Sequence, residues 1–175
     1  RDDNSWGVWM GQSEQMEGST RSMELADETR YNFGAQTDFN TLKHYGYQVN
    51  DTYLQWWGNA YYQIRNLNNF MDNIEKSAFQ NKTEMKGEAR FLRAFCYFAM
   101  VKRYGGVPIV TDVQSIDADS TVLYPSRSSE KQCYDFIIDE CEKAVAELPA
   151  QQEVGRATKW AAYALQCRAA LFAGS

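Results

Sequence analysis

The sequence predicts an all-α fold of stacked helical hairpins. Three observations carry the prediction. Four stretches repeat apolar residues at the three-and-four spacing of an α-helix, each is bounded by residues that start or stop helices, and the faces so formed are wide and alanine-bearing. The 175 residues suit one domain or one large piece of a bigger one. They divide into an irregular, aromatic-rich segment over 1–50 and a helical scaffold over 51–175.

In the first segment Gly, Ser, Thr, Asp and Asn interleave with Trp6, Trp9, Tyr31, Phe33, Phe39, Tyr45 and Tyr47. One short helix is expected around Ser22–Glu28. The first long helix is expected over 51–75, where Tyr53, Trp57, Ala60, Ile64, Leu67, Met71 and Ile74 form one stripe. Asn50 or Asp51 can supply its N-cap oxygen. Burying seven such side chains contributes on the order of 10–20 kcal/mol before chain entropy is charged against it. Gly58 in its interior reads as a close approach by another backbone.

The second helix is expected over 82–104, with Asn81 and Glu84 in capping-box spacing. Met85, Ala89, Leu92, Cys96 and Ala99 form one apolar stripe and Phe91, Phe95, Phe98 and Val101 another, so more than one neighbour must pack on it. Lys86, Arg90, Arg93 and Tyr97 take the remaining face. Gly105-Gly106 can end the helix through a positive φ, and Val107-Pro108-Ile109-Val110 reads as extended. Residues 111–128 read as a polar connection. The third helix is expected over 129–148, opened by Ser129 and Gln132 in capping-box spacing and closed before Pro149. Its core positions are Cys133, Ile137, Cys141, Ala144 and Leu148. The fourth, over 158–173, is rich in alanine, so a partner helix can come close. No strict 34-residue repeat is visible, so any tetratricopeptide character is degenerate.

Composition excludes several classes of function. With 23 acidic against 18 basic residues and a net charge of −5, the chain lacks the basic footprint of nucleic-acid or anionic-membrane binders. No run approaches the roughly 20 apolar residues of a membrane span. The start, Arg1-Asp2-Asp3-Asn4, has no initiator Met, apolar signal core or lipidation cysteine, so the chain is expected to be mature, trimmed or partial.

Little in the sequence carries catalytic chemistry. A single histidine, His44, leaves a Cys/His zinc site or a Ser–His–acid triad without support. Cys96, Cys133, Cys141 and Cys167 show no metal-type pairing and read as small buried hydrophobes. Asp135, Asp139 and Glu142 could suggest paired carboxylates, but Lys131 and Lys143 lie four residues from Asp135 and Asp139, the pattern of a solvated face. Asp117-Ala118-Asp119 is too short for a calcium loop. The sequons at Asn50 and Asn81 fall at helix starts and read as capping. Glu88 has apolar residues at i+3 and i+4, so it is expected to pair with a cation from another element. The aromatics of the first segment could stack on sugar rings, and the amides Gln55, Asn59, Asn66, Asn69 and Asn73 suit sugar hydroxyls or loop backbone equally.

Five motifs in order add a resemblance. Trp57-Gly58-Asn59-Ala60-Tyr61-Tyr62-Gln63-Ile64-Arg65-Asn66-Leu67-Asn68 resembles the W-x3-Y-x2-I-x3-N helix of the SusD/RagB family. Gly87-Glu88-Ala89-Arg90-Phe91-Leu92-Arg93-Ala94 is similar to its G-E-A-R-F-L-R-A signature, and Arg103-Tyr104-Gly105-Gly106-Val107-Pro108 to its R-Y-G-G-V-P ending. The run from Pro125-Ser126-Arg127 to Leu148-Pro149, and Gly155-Arg156-Ala157-Thr158-Lys159, resemble the helices that follow.

The resemblance implies a SusD-like, tetratricopeptide-like scaffold, incomplete at both ends. It implies a surface-exposed outer-membrane lipoprotein, held by a lipid anchor not present in this chain, that captures glycans without catalysis and needs no cofactor. Its implied partner is a SusC-like TonB-dependent transporter, to which the ligand is delivered. A peptide-binding RagB-like subunit and a pure transporter-docking scaffold are the alternatives. Ligand contacts are expected partly within Thr29–Asn50, with Tyr31, Phe33, Asn40, His44, Tyr45 and Tyr47 as the candidate residues.

Overall fold

The computed structural model describes residues 57–175. The chain divides into two units, Arg1–Asn59 and Ala60–Ser175, and the described residues comprise the second and the helical turn leading into it. Five helices occur among the described residues, with no strand: α1 (Trp57–Ile74), α2 (Lys82–Tyr104), α3 (Ser120–Leu123), α4 (Glu130–Glu147) and α5 (Lys159–Ala173). The four long ones fall where periodicity placed them. Residues 51–56, including the expected cap at Asp51, lie outside the described residues, as does Asn50.

Local chemistry explains most boundaries. At α4 the Ser129 side chain accepts from Gln132 N–H while the Gln132 side chain accepts from Ser129 N–H, a complete capping box. Thr158 caps α5 by accepting from Ala161 N–H. The capping box expected at Asn81 is absent: its backbone sits at φ −98°, ψ 34°, and its side chain makes no cap bond. Lys82 instead donates to the Glu75 carbonyl at 3.0 Å, tying the start of α2 to the end of α1. Gly105 ends α2 at φ 65°, its N–H donating to Val101 O at 2.9 Å. The connection expected over 111–128 contains the short α3, nucleated by the Asp119 carboxylate accepting from Thr121 N–H and hydroxyl.

Successive long helices run antiparallel. Down α2 and α4, Arg90 meets Glu147, Arg93 meets Glu140, and Tyr97 packs edge-on against Phe136 with centroids 5.1 Å apart. As one number rises the other falls, which fixes the direction. Glycine permits the crossing at its tightest point. A Cβ on Gly87 would stand 2.9 Å from Glu147 Cβ and 3.0 Å from Leu148 Cγ. Gly106 is tighter still, with Ser128 O 2.0 Å from where a Cβ would lie. Gly58, expected to mark such an approach, has none among the described residues.

The core follows the stripes of α1 and α4, but on α2 it also takes in Tyr97, expected on the remaining face, and Met100, which neither stripe contained. Ala60, Ile64 and Leu67 of α1, Cys96, Tyr97, Met100 and Val101 of α2, and Cys133, Ile137, Cys141 and Ala144 of α4 are buried. Each large apolar side chain among them contributes roughly 1.5–3 kcal/mol of transfer free energy. Leu148 and Ala162 extend this core to α5, flanked by Phe91 and Val145. One cysteine departs from expectation: Cys167 is exposed on α5, whose outer face also leaves Trp160, Tyr163 and Leu171 uncovered among the described residues. Glu88 pairs as expected with a cation from elsewhere, accepting from Arg156 Nε at 2.8 Å and Nη2 at 2.6 Å. That clamps α2 to the connection before α5.

Candidate functional site

Two polar residues on otherwise apolar faces organise the site. Asn68 is buried on α1 beside Leu67, and Glu140 is buried on α4 between Ile137 and Cys141. Arg93 of α2 joins them. Its Nε and Nη2 donate to Glu140 Oε2 at 2.9 and 2.5 Å, and its Nη1 donates to Asn68 Oδ1 at 2.7 Å. Arg90 donates to Glu147 at 2.9 Å and to Glu140 at 3.3 Å, closing a buried network of two cations and two carboxylates. An arginine buried so deeply requires such partners, because an unpaired buried charge costs several kcal/mol.

The network holds a strap, residues 107–112, by its carbonyls. Tyr61 donates to Pro108 O at 2.7 Å, Asn68 Nδ2 to Val110 O at 3.0 Å and Arg93 Nη1 to Thr111 O at 3.3 Å. Tyr97 accepts from Val110 N–H at 2.8 Å. Burial pushes both phenols well above the ordinary tyrosine value, so Tyr61 and Tyr97 stay protonated.

Between α1, α2 and the strap lie two adjoining, solvent-open cavities. The larger, about 590 Å3, is lined by Asp72, Lys86, Arg90, Arg93 and Thr111; the smaller, about 280 Å3, by Tyr61, Tyr62, Arg65 and Gln114. Asn68 and Asp112 line both, and Asn68 Nδ2 donates to Val110 O and Asp112 O, tying α1 to the strap at the residues that the two lobes of this groove share.

The electrostatics of the groove are balanced. Lys86 binds the Glu75 carboxylate, whose pKa that hydrogen bond lowers. Arg90 and Arg93 are taken by Glu140 and Glu147, and Asp72 pairs with Lys76 at 2.8 Å. What stays open to a ligand is the Tyr62 ring, the amide oxygen of Gln114, the Thr111 hydroxyl and a few singly placed charges. Such a set stacks on and hydrogen-bonds a ligand. No group of three or more His, Cys, Asp or Glu among the described residues could hold a metal ion, and no described helix is long and apolar enough to cross a membrane.

The sequence-derived site residues, Tyr31, Phe33, Asn40, His44, Tyr45 and Tyr47, lie outside the described residues. Of the amide stripe, Asn73 donates to Asn69 O at 2.7 Å, and so serves its own helix. Sequence reasoning missed the structural weight of Asn68 and Glu140. The available signal was a polar residue at a core position of each apolar stripe. Asp135 and Asp139 pair with Lys131 and Lys143, both at 2.6 Å, as expected of a solvated face.

Helical hairpins carrying an open groove of ring, amide and balanced charge define the class of this protein as a stacked-helix scaffold. Residues 4–171 match the SusD-like family model described as "Starch-binding associating with outer membrane", and the chain belongs to this SusD/RagB family. A SusD-like protein of Bacteroides ovatus is 40% identical over 81 residues, 46% of this chain and 14% of that protein. SusD-like protein P25 of Formosa agariphila is 26% identical over 126 residues, covering 69% of this chain and 23% of the relative.

A solved SusD-like protein from Bacteroides fragilis, 35% identical, superposes with a TM-score of 0.68 over 94% of this chain and 31% of its own. A structure solved with a xylogluco-oligosaccharide, 25% identical, gives a TM-score of 0.68 over 95% of this chain and 32% of its own. The chain therefore spans less than a quarter of these curated relatives and about a third of these solved ones.

Proposed function

We propose that this chain is the helical part of a non-catalytic glycan-capturing protein, which holds oligosaccharides at the bacterial outer-membrane surface and delivers them to a SusC-like TonB-dependent transporter. Family membership supports the class. The observation that carries the ligand is the groove itself, where an exposed tyrosine ring stands near an amide oxygen and a hydroxyl on a scaffold shared with a relative solved with a xylogluco-oligosaccharide. Binding is the whole mechanism: rings stack on sugar faces, polar groups bond hydroxyls, and no covalent step is needed. Affinity is expected to be modest, because open polar sites return much of their gain in desolvation and ordering.

Calorimetric titration of the whole protein against glycan and peptide panels tests this. Glycan binding without release of shorter products is the expected result. Tyr31, Tyr45 and Tyr47 are proposed as further contacts, and replacing all three with no loss of affinity would remove them. A second reading, a pure transporter-docking scaffold, draws support from the motif residues Asn68, Gly87, Arg93 and Gly106, all of which are used in packing the frame. It predicts that the helical part retains the transporter in a pull-down while ligand binding maps elsewhere.

A further inference from the structure

Three places stand out beyond the frame: the exposed apolar face of α5, the exposed thiol of Cys167, and the groove along the strap. Nothing on the surface of α5 says what covers it, and a lone thiol defines no ligand. The groove carries an inference, because its charges and its geometry point the same way.

We infer that the groove between α1 and the strap is a subsite for an uncharged oligosaccharide, with the Tyr62 ring as its stacking platform and Arg65, Asp112 and Gln114 as its hydroxyl partners. The inference rests on the glycan-capture reading and names the class of glycan. Tyr62 is 64% exposed although it lines the cavity, and no hydrogen bond or ion pair engages Tyr62 or Arg65 among the described residues. Gln114 is held in place by its Nε2, which donates to Val122 O. Its Oε1 has no hydrogen bond among the described residues, and Gln114 lines the smaller cavity. Tyr61 next door is fixed by Pro108 O, so the wall behind Tyr62 is rigid.

The volumes agree. The smaller cavity, about 280 Å3, is close to the lower end of ligand clefts and suits a single sugar ring, while the larger one lies next to it on the far side of Asn68.

Charge decides between neutral and acidic glycans. Lys86, Arg90 and Arg93 line the larger cavity, but Glu75, Glu140 and Glu147 already neutralise them, Asp72 is paired with Lys76, and Asp112 borders the same space. In the smaller cavity Arg65 stands with Asp112. A uronate or sulfate entering the groove would meet carboxylates that at least match the cations, so its charge gains nothing to offset its desolvation. Hydroxyls suffer no such loss. A stacking ring that shares a cavity with a donor, Arg65, and acceptors on Asp112 and Gln114 fits the face and hydroxyls of a neutral pyranose.

The test uses the whole protein and a panel of xylogluco-, malto- and manno-oligosaccharides beside oligogalacturonides, read by calorimetry. The strongest neutral binder is then titrated against Tyr62→Ala and Tyr62→Phe, with circular dichroism to verify folding. Tyr62→Ala should weaken binding roughly five- to tenfold, Tyr62→Phe should retain it, and added salt should leave it unchanged. Unchanged affinity in Tyr62→Ala overturns the subsite and leaves glycan capture standing. Tighter binding of the galacturonides overturns the neutral class. Failure of every oligosaccharide to bind overturns the capture reading and the subsite together.

Discussion

Replacing Glu140 by alanine removes the acceptor of two Arg93 hydrogen bonds and one from Arg90. Arg90 keeps Glu147, but Arg93 retains only the Asn68 amide oxygen and the Thr111 carbonyl, neither of them charged. With side-chain exposures of 6% for Arg93 and 2% for Glu140, water cannot replace the lost carboxylate. Breaking one half of a buried pair costs about 3–5 kcal/mol, a large part of the ~5–15 kcal/mol that holds a domain together. Glu140→Gln keeps the volume and one acceptor, so its loss should be smaller, about 1–3 kcal/mol.

Removing both charges, as Arg93→Met with Glu140→Leu, should recover most of the deficit, because the desolvation penalty of each ion disappears with it. Urea unfolding followed by circular dichroism reads all three, with Lys131→Ala as the exposed control at about 0.5 kcal/mol or less. A Glu140→Ala protein within about 1 kcal/mol of the parent would refute the reasoning. So would a double variant no better than the single.

Gly106→Ala places a methyl 2.0 Å from Ser128 O, and the backbone on both sides must shift. A loss of about 2–3 kcal/mol is expected in the same unfolding assay. Thiol labelling under native conditions at mildly alkaline pH should modify Cys167 alone. Cys96, Cys133 and Cys141 are buried, and burial pushes the Cys96 and Cys141 thiols up to about 12. Cys167→Ser should abolish the fast phase. Tyr61 and Tyr97 have folded pKa values raised above the unfolded value, so their contribution is intact below about pH 10 and is lost as pH rises beyond it, where the unfolded chain ionises first. Stability should fall on the alkaline side, less steeply in Tyr97→Phe.

Helices were readable because burial imposes a period, and the period is written in residues such as Ile64, Leu67, Cys133 and Ile137. The capping box at Ser129 was readable because it lies entirely within four consecutive residues. The same spacing misled at Asn81, where tertiary ties from Lys82 and Lys86 to Glu75 set the backbone instead. Gly87 and Gly106 could be seen as glycines, but not which atoms press on them, since Glu147 and Ser128 are distant in sequence. The groove was the least legible part. Asn68, Arg93 and Glu140 come from three helices, and only folding shows that two polar residues on apolar faces and an arginine from the remaining face of α2 are one network.

That network grips the strap by main-chain oxygens rather than by side chains. Every amino acid carries the same carbonyl, so the exposed Thr111 and Asp112 can be exchanged without loosening the grip, whereas Val107 is fixed by its buried side chain. Relatives could therefore retune what the groove accepts, one surface position at a time, while the machinery beneath stays constant. A frame indifferent to the identity of what it clasps leaves its ligand-facing rim free to diversify.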